Sequence, residues 1–294
     1  MTTRSLDPEE IAVALAPAFA AGVERPTPAL LDAWRQAHHA AQLASEVGKA
    51  WAPPCDDDSH SSFAWRAGAL HGVPTAARAV HAALRVAPLE LALLDAADAP
   101  LAVRALGGAT FAEAMAWVRA EAERLVGPPR QAARPAPGLP AHPVADGAPF
   151  RATAAGVPLA RLLSQADTIL RHVAAVLGAD PPRCWPHHFD LATLVPVVPE
   201  AGSRTARTIP AILGLGLAVP DGFAASGYWY ASPWRGPTAA SWPALPHGHW
   251  AARDGGPPLG VLPLDALASR APREAAAALA GFLSATVAAA AAAA

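Results

Sequence analysis

A proline-rich segment interrupts the chain near its middle, between residues 128 and 149. Proline fixes φ and lacks a backbone donor, so a run this dense cannot form a regular helix or a central strand. We therefore expect a linker or a surface strap between an N-terminal half, residues 1–127, and a C-terminal half, residues 150–294. The pattern also allows both halves to form one compact domain. The prolines of the segment are Pro128, Pro129, Pro135, Pro137, Pro140, Pro143 and Pro149.

Both halves mix helical and strand-like patterns in a similar order. Apolar residues recur every three or four positions in the helical stretches, whereas the strand-like stretches are short and bounded by Gly, Pro or Asp. The predicted helices cover 28–50, 111–126 and 158–178, and the predicted strands cover 63–70, 89–94, 101–106, 184–195, 209–219, 228–232 and 259–262. We expect an α+β fold with a largely antiparallel sheet packed by helices. The repeated order of helix, strands and helix suggests two pseudo-repeated halves.

The composition argues against two classes of partner. The chain is 53% hydrophobic, only 16% charged and has a formal net charge of -2, so it lacks the basic surface that nucleic acid or anionic lipid requires.

Two cysteines, Cys55 and Cys184, are too few for a disulfide framework, and Asp7 to Glu10 reads as a helix start rather than an export signal. We expect a cytoplasmic protein that binds no nucleic acid, of undetermined oligomeric state.

The alanine-rich end of the chain imitates a membrane span. No charge occurs from Ala275 to Ala294, which is about the length that a bilayer requires. Alanine contributes little to insertion, however, and the large apolar residues lie on one helical face. We expect a helix that docks on the protein rather than a membrane partner; a membrane span and a disordered alanine tail are the alternatives. These large residues are Leu279, Phe282, Leu283 and Val287.

The stretch from Cys184 to Leu194 concentrates imidazoles, a carboxylate and aromatic rings in an otherwise bland sequence. If it is extended, alternate side chains share a face, which separates His187 from His188 and places His188 beside Asp190. His247-Gly248-His249 offers a second imidazole pair. Such a set could bind a divalent metal, zinc or iron, with open positions that activate water. The predicted metal ligands are His188, Asp190, His247 and His249.

The helix at residues 28–50 carries a polar stripe at helical spacing, formed by His38, Gln42, Ser45, Glu46 and Lys49. Our leading hypothesis is a small-ligand-binding or enzymatic protein with a pocket between this helix and the predicted strand at 184–195. His188, Asp190, Glu46 and Lys49 are its candidate catalytic residues. The candidate ligand-binding residues are His38, Gln42, Trp185, Tyr228, Tyr230 and Trp234.

Two alternatives to the pocket stay open. One is a metal-dependent enzyme that uses the four predicted metal ligands. The other is a non-catalytic structural or interaction protein, in which the polar stripe is a solvated face and the aromatic residues are core. The chain has no phosphate-binding Gly-rich loop, no Gly-x-Ser-x-Gly elbow and no His-Glu-x-x-His helix. The sequence therefore leaves open whether the protein is an enzyme, and it identifies no cofactor beyond a candidate divalent metal.

Three islands of the sequence, residues 42–49, 185–194 and 228–234, together resemble a bacterial family classed as a domain of unknown function. In that family a helix ending in Gly-Lys precedes a Phe-Asp-Leu-Ala strand and an aromatic Tyr-x-Tyr segment. The resemblance implies an α+β protein with no assigned activity. The Phe189–Ala192 stretch fits the family pattern, whereas His187 and His188 replace small residues. The resemblance thus weakens the metal hypothesis and links the Glu46 and Lys49 face to Asp190.

Overall fold

The computed structural model describes residues 5–133, 138–197, 211–234 and 242–293. This part of the chain contains six α-helices and eleven strands, and the strands pair antiparallel. The predicted α+β class is confirmed. In chain order the elements are α1 (Pro8–Leu15), α2 (Pro28–Trp51), β1 (Phe63–Arg66), β2 (Ala69–Gly72), β3 (His81–Arg85), β4 (Glu90–Leu94), β5 (Pro100–Ala105), α3 (Phe111–Val126), α4 (Gly156–Leu177), β6 (Arg183–Trp185), β7 (Asp190–Val197), β8 (Ala211–Ala218), β9 (Tyr228–Trp234), β10 (His249–Ala251), β11 (Leu259–Pro263), α5 (Leu264–Ala268) and α6 (Pro272–Ala293).

The chain forms two compact units, and each is discontinuous in sequence. Unit 1 comprises residues 1–26, 165–182 and 191–294, and unit 2 comprises residues 27–164 and 183–190. The predicted boundary at 128–149 thus falls inside unit 2. The order of helix, strands and helix does occur twice along the chain, first from α2 to α3 and then from α4 to α6. A duplication remains a prediction.

The proline-rich segment serves as a strap on helix α2 over its described residues. His39 Nε2 lies 2.9 Å from the Pro140 carbonyl oxygen. His142 Nε2 lies 3.1 Å from Asp32 Oδ1, while its Nδ1 accepts the Val144 N–H. These bonds hold the strap because proline-rich backbone has few donors of its own and needs side chains to fix it.

The sheet of unit 2 is a meander in which β6, β1, β2, β3, β4 and β5 are neighbours in that order. Helix α2 packs on β2, β3 and β4. Its start is capped by Thr27, whose hydroxyl accepts the Leu30 N–H, and Pro28 takes the first helical position. A cross-strand row of large apolar side chains is buried in the sheet. The row comprises Trp65, Leu70, Leu84 and Leu91.

The prediction of one strand over residues 63–70 is wrong, because the chain turns in the middle of this stretch. Ala67 and Gly68 both have positive φ, 50° and 77°. Such a two-residue turn matches the twist of a tight hairpin, and it joins β1 to β2 with Arg66 opposite Ala69. The predicted strands at 89–94 and 101–106 pair as the hairpin of β4 and β5, and a capping box of Thr110 and Glu113 begins α3.

The sheet of unit 1 contains β7, β8, β9, β11 and β10 in that order. Glycine is needed in β8 because a Cβ at Gly216 would lie 2.6 Å from the Leu191 carbonyl oxygen and 2.8 Å from Tyr230 Cε1. The Leu-Gly alternation thus reflects close packing, as expected of a glycine inside a strand. The predicted strand that begins at Ile209 is described from Ala211 onward.

Helix α6 is long and apolar enough to cross a membrane by length and composition. Its most apolar window is nevertheless 61% buried within the protein, which is typical of a core helix. The helix packs against α1 and the strands β8, β9 and β11 of the same unit, and Ser284 donates to the Leu6 carbonyl. This packing agrees with the predicted docking helix. A cytoplasmic location remains a prediction.

Candidate functional site

The aromatic and histidine motif forms a turn between β6 and β7, so its placement on one continuous strand is wrong. Phe189 has a φ of 52°, and its N–H donates to the Trp185 carbonyl oxygen over 2.6 Å. Pro186 favours this break because it cannot donate to a strand ladder. The rings of His187 and His188 consequently lie 4.3 Å apart rather than on opposite faces.

Helix α2 contacts this turn directly, as the pocket hypothesis required, but the contact is closed. His38 Nε2 lies 3.1 Å from the Pro186 carbonyl oxygen, to which the Gln42 amide also donates. The His38 ring stacks on Phe189 with centroids 5.4 Å apart. Burial, reinforced by the neighbouring His39, lowers the pKa of His38 to about 4, so its imidazole is neutral. Both predicted ligand-binding residues on this helix thus bond to backbone through one atom each, whereas His38 Nδ1 and Gln42 Oε1 are buried without a hydrogen-bond partner in the described part of the chain.

The next turns of the polar stripe carry Glu46 and Lys49. Glu46 is buried, and its Oε1 accepts from Arg119 Nε of helix α3 at 2.7 Å. Burial lowers the pKa of Lys49, and the nearby Glu46 and Asp58 charges oppose that effect. Burial, His188 and Lys49, in that order, lower the pKa of His187 to about 4. Lys49 and His187 therefore interact electrostatically within unit 2.

The other predicted site residues are divided between the units. Trp185, His188 and Asp190 belong to unit 2, whereas the predicted residues from Tyr228 to His249 belong to unit 1. Tyr228 is buried and donates its hydroxyl to Asp221, while Trp234 is 58% exposed and donates to the Ser232 hydroxyl. The predicted metal set and the predicted aromatic pocket therefore remain predictions. Their members in unit 1 are Tyr228, Tyr230, Trp234, His247 and His249.

A different group of side chains has the geometry of a metal site. Within the described ranges, it is the one set of three or more His, Cys, Asp or Glu residues whose ligand atoms all lie within 4.8 Å of one another. The group, called here the three-ligand cluster, consists of His71, His81 and Asp98. His71 Nδ1 lies 3.3 Å from His81 Nε2, Asp98 Oδ1 lies 3.0 Å from His81 Nε2, and the remaining pair is 3.6 Å apart.

Strand register brings the two histidines together. His71 on β2 is opposite Ala64 on β1 and Ala83 on β3. Because residues two apart on a strand share a face, Arg66 and His81 lie on the same face as His71. The small partners Ala64 and Ala83 leave room there for the larger side chains. The side chains of Arg66, His71 and His81, from three adjacent strands, thus lie together on one face of the sheet.

The turn between β4 and β5 supplies the carboxylate. His81 is opposite Leu94, the last residue of β4, so the following turn starts beside the histidines. The Asp95 carboxylate fixes this turn by accepting two of its backbone N–H groups, at 2.8 and 2.9 Å. Asp98 has a left-handed φ of 62°, which aspartate tolerates better than most residues. The turn therefore holds Asp98 against the two histidines.

A guanidinium lies against all three ligand atoms. Arg66 Nη2 is 2.9 Å from Asp98 Oδ1, 3.1 Å from His71 Nδ1 and 3.4 Å from His81 Nε2. The side chains of Arg66 and Asp98 are 50% and 40% exposed, whereas those of His71 and His81 are 8% and 3% exposed. The cluster therefore has a buried floor of imidazoles and a rim that opens to solvent.

The electrostatics keep both imidazoles neutral. Burial and then the Arg66 charge lower the pKa of His71 to about 4, against the opposing effect of Asp98. Burial also lowers the pKa of His81, again opposed first by Asp98. A neutral imidazole has one nitrogen lone pair, which is the form that binds a metal. The cluster can therefore donate two nitrogen lone pairs and one carboxylate oxygen to a common cation.

This cluster was not predicted from the sequence. Asp98 lies between the predicted strands at 89–94 and 101–106, and neither it nor Arg66, His71 or His81 was a predicted site residue. Histidines at the ends of two short neighbouring strands were the available signal. The signal could not be used because the hairpin at Ala67-Gly68 was not recognised, and the register of β1, β2 and β3 depends on it.

Comparison with known proteins identifies no relative. No family model, curated protein or solved structure matches the chain. The function must therefore be inferred from the residues of the site.

Proposed function

We propose that the protein binds a divalent transition metal, zinc in the first instance, at His71, His81 and Asp98. The observation that carries this proposal is the size of the triangle formed by their ligand atoms, with edges of 3.0, 3.3 and 3.6 Å. Zinc bonds of about 2.0–2.1 Å in a tetrahedron require ligand atoms roughly 3.3–3.4 Å apart. The cluster therefore needs little rearrangement to bind zinc.

The ligand set also suggests what the metal could do. Three protein ligands leave an open position, the arrangement of catalytic rather than structural zinc sites. That position lies on the half-exposed side of Arg66 and Asp98, where water or substrate has access. Two histidines and one carboxylate also form the ligand set of non-haem Fe(II) enzymes. We propose zinc-activated water, and hence a hydrolytic reaction, with Fe(II) as the alternative metal.

Metal analysis of protein purified without a histidine tag tests the proposal. After chelation and dialysis, the chain should bind one zinc per molecule in isothermal titration calorimetry, and the same titration with Fe(II) under anaerobic conditions ranks the two metals. His81→Gln and Asp98→Asn should each weaken zinc binding by more than roughly 100-fold, the upper range for outer-shell contacts. Each variant must retain the wild-type circular dichroism spectrum.

His38→Gln is the matched control, since His38 is also buried and neutral but lies outside the cluster. It should bind zinc like the wild type. Equal losses in the control and the cluster variants would show that the losses are not specific to the cluster, and retained binding in the cluster variants would show that zinc binds elsewhere. Either outcome, or absence of binding to the wild type, would refute the proposal.

Small-ligand binding beside Lys49 and His187 is a second candidate function. It is supported by the adjacent rings of His187 and His188, 4.3 Å apart on the turn, and by the burial that lowers the pKa values of Lys49 and His187. A thermal-shift screen of small carboxylates and phosphates would test it, with Lys49→Met as the variant that should lose the shift. A hit that Lys49→Met retains would contradict this site.

A further inference from the structure

We propose that Arg66 is a resident cation of the three-ligand cluster, which assembles the ligands in the metal-free protein and must leave when a metal binds. This proposal rests on the proposed metal function. Because Arg66 has to move away before a metal can bind, its movement is called here the gate. Arg66 Nη2 approaches Asp98 at 2.9 Å, His71 at 3.1 Å and His81 at 3.4 Å, so it sits where a bound cation would draw these atoms together.

Arginine and metal compete for the same electrons. The neutral ring of His71 has one lone pair, which either accepts an Arg66 N–H or binds a metal. Guanidinium has no lone pair, so Arg66 cannot become a ligand. Two cations held by one carboxylate and two imidazoles would also repel each other strongly at this depth. Metal binding and the observed Arg66 contacts are therefore mutually exclusive.

The position of Arg66 allows it to leave. It is the last residue of β1, directly before the two-residue turn, and its side chain is 50% exposed. Within the described part of the chain, its hydrogen bonds and ion pair all involve the three-ligand cluster. Rotation into solvent thus breaks no other contact. The backbone and the imidazole floor can stay in place.

The gate has a function in the metal-free protein. Without Arg66, the hydrogen bond from His81 Nε2 to Asp98 Oδ1 would remain, whereas the His71 Nδ1 lone pair would face Asp98 Oδ1 at 3.6 Å with no cation between them. Arg66 offers N–H donors to these acceptors and keeps the ligand atoms 3.0–3.6 Å apart. The ligand atoms are therefore already close enough to bind a metal. Arg66 competes with the metal for them, however, and lowers the affinity of the protein for the metal. Removing Arg66 should therefore tighten metal binding.

Zinc titration of the chelated full chain tests the gate. Arg66→Met should bind zinc roughly tenfold more tightly than the wild type, the gain expected when a partly solvated competing cation is lost. Arg66→Lys retains the charge and should fall between them. Arg85→Met is the matched charge control: Arg85 lies on the same sheet face and its charge also lowers the pKa of His71, but less than that of Arg66, and it pairs with Glu90. Its zinc affinity should change less than about twofold.

A second measurement requires no variant. Phenylglyoxal modification of the wild-type chain, mapped by mass spectrometry, should be several times faster at Arg66 when zinc is present, while Arg85 reacts at an unchanged rate. Equal zinc affinity of Arg66→Met and wild type, with unchanged Arg66 reactivity, would overturn the gate and leave the metal site intact. Failure of both proteins to bind zinc would overturn the proposed function, and with it the gate.

Discussion

Two polar clusters of unit 2 differ in what their hydrogen bonds do. In the contact between helix α2 and the turn at 186–189, His38 and Gln42 both engage the Pro186 carbonyl, so the side chains are used to fix backbone. In the three-ligand cluster, two ring nitrogens and one carboxylate oxygen converge on one point, and a half-exposed arginine contacts all three. The first arrangement is buried and leaves His38 Nδ1 and Gln42 Oε1 without a partner in the described part of the chain, whereas the second reaches solvent at Arg66 and Asp98.

This difference shows which kind of polar cluster can bind. Buried polar groups are normally paired, and pairing with backbone is a structural role. Convergent acceptors with neutral imidazoles are costly to maintain unless a cation or a proton satisfies them. We therefore expect substitutions in the α2 contact to change stability, and substitutions in the three-ligand cluster to change metal binding.

The largest effect on stability is expected from the double variant His38→Ala and Gln42→Ala. It removes both donors from a buried carbonyl and leaves a cavity against Phe189, so the free energy of unfolding should fall by about 3–5 kcal/mol. Urea unfolding followed by circular dichroism measures the change. Zinc binding by the folded variant should be unchanged.

Gln131→Ala is the control for that variant, because Gln131 also donates to a carbonyl, that of Lys49, but at an exposed position. It should cost less than about 1 kcal/mol. If the double variant lost zinc binding but kept wild-type stability, the α2 contact would be a binding site rather than a structural contact.

A smaller loss is expected where α2 approaches the loop after it. A Cβ at Gly48 would lie 2.2 Å from the His60 carbonyl oxygen, a contact that only backbone movement can relieve. Gly48→Ala should therefore destabilise the protein by about 1–3 kcal/mol despite the better helix propensity of alanine. Gly222→Ala, which would meet no atom within 4 Å, is the control. If Gly48→Ala were neutral, the α2 contact would be looser than described.

The sequence predicted the parts of the fold that depend on local pattern. The periodicity of residues 28–50 and 158–178 identified α2 and α4, because apolar spacing is sufficient to define a long helix. The turn at 186–189 was missed because the motif leads directly into the strand-like residues from 190 onward. The positive φ of Phe189 gives no signal in the sequence, since phenylalanine rarely adopts this conformation.

The candidate site was less predictable for a related reason. The predicted metal ligands form two pairs whose members are two positions apart in sequence, His188 with Asp190 and His247 with His249. His71 and His81 meet only through the pairing of β2 with β3, and Asp98 joins them only through a turn fixed by Asp95. Such long-range register depends on turn geometry more than on residue pattern. The sequence predicted a pocket between helix α2 and the motif, and the structure shows that His38 and Gln42 contact the Pro186 carbonyl directly; the pocket itself remains a prediction.

The pH dependence of stability provides a third test of the α2 contact. The pKa of His38 is about 4 in the folded protein against an ordinary value of 6.5, so the unfolded chain binds more protons between these values. Stability should then fall as the pH decreases from 6.5 towards 4, with a slope of up to about 1.4 kcal/mol per pH unit from this residue. His38→Gln, which retains a donor, should flatten part of that slope in urea unfolding at several pH values.

Gln131→Ala supplies the control for this experiment, because it removes an exposed hydrogen bond but no titratable group and should leave the slope unchanged. His187 also has a pKa of about 4 and contributes to the remaining slope of the His38 variant. An unchanged slope in His38→Gln would mean that His38 is not the buried neutral imidazole described above.

The smallest effect is expected at Glu46, which the sequence proposed as a catalytic residue. Its carboxylate is buried, but its partner Arg119 is 56% exposed, so solvent screens the ion pair. Glu46→Gln keeps the shape and one acceptor, and it should lower the free energy of unfolding by about 1 kcal/mol or less. Glu121→Gln, which breaks the more exposed pair with Arg124, should have an even smaller effect. A loss above about 2 kcal/mol for Glu46→Gln would show that the ion pair with helix α3 is also a structural contact of α2. A loss of ligand binding at unchanged stability would instead show that Glu46 is a functional residue.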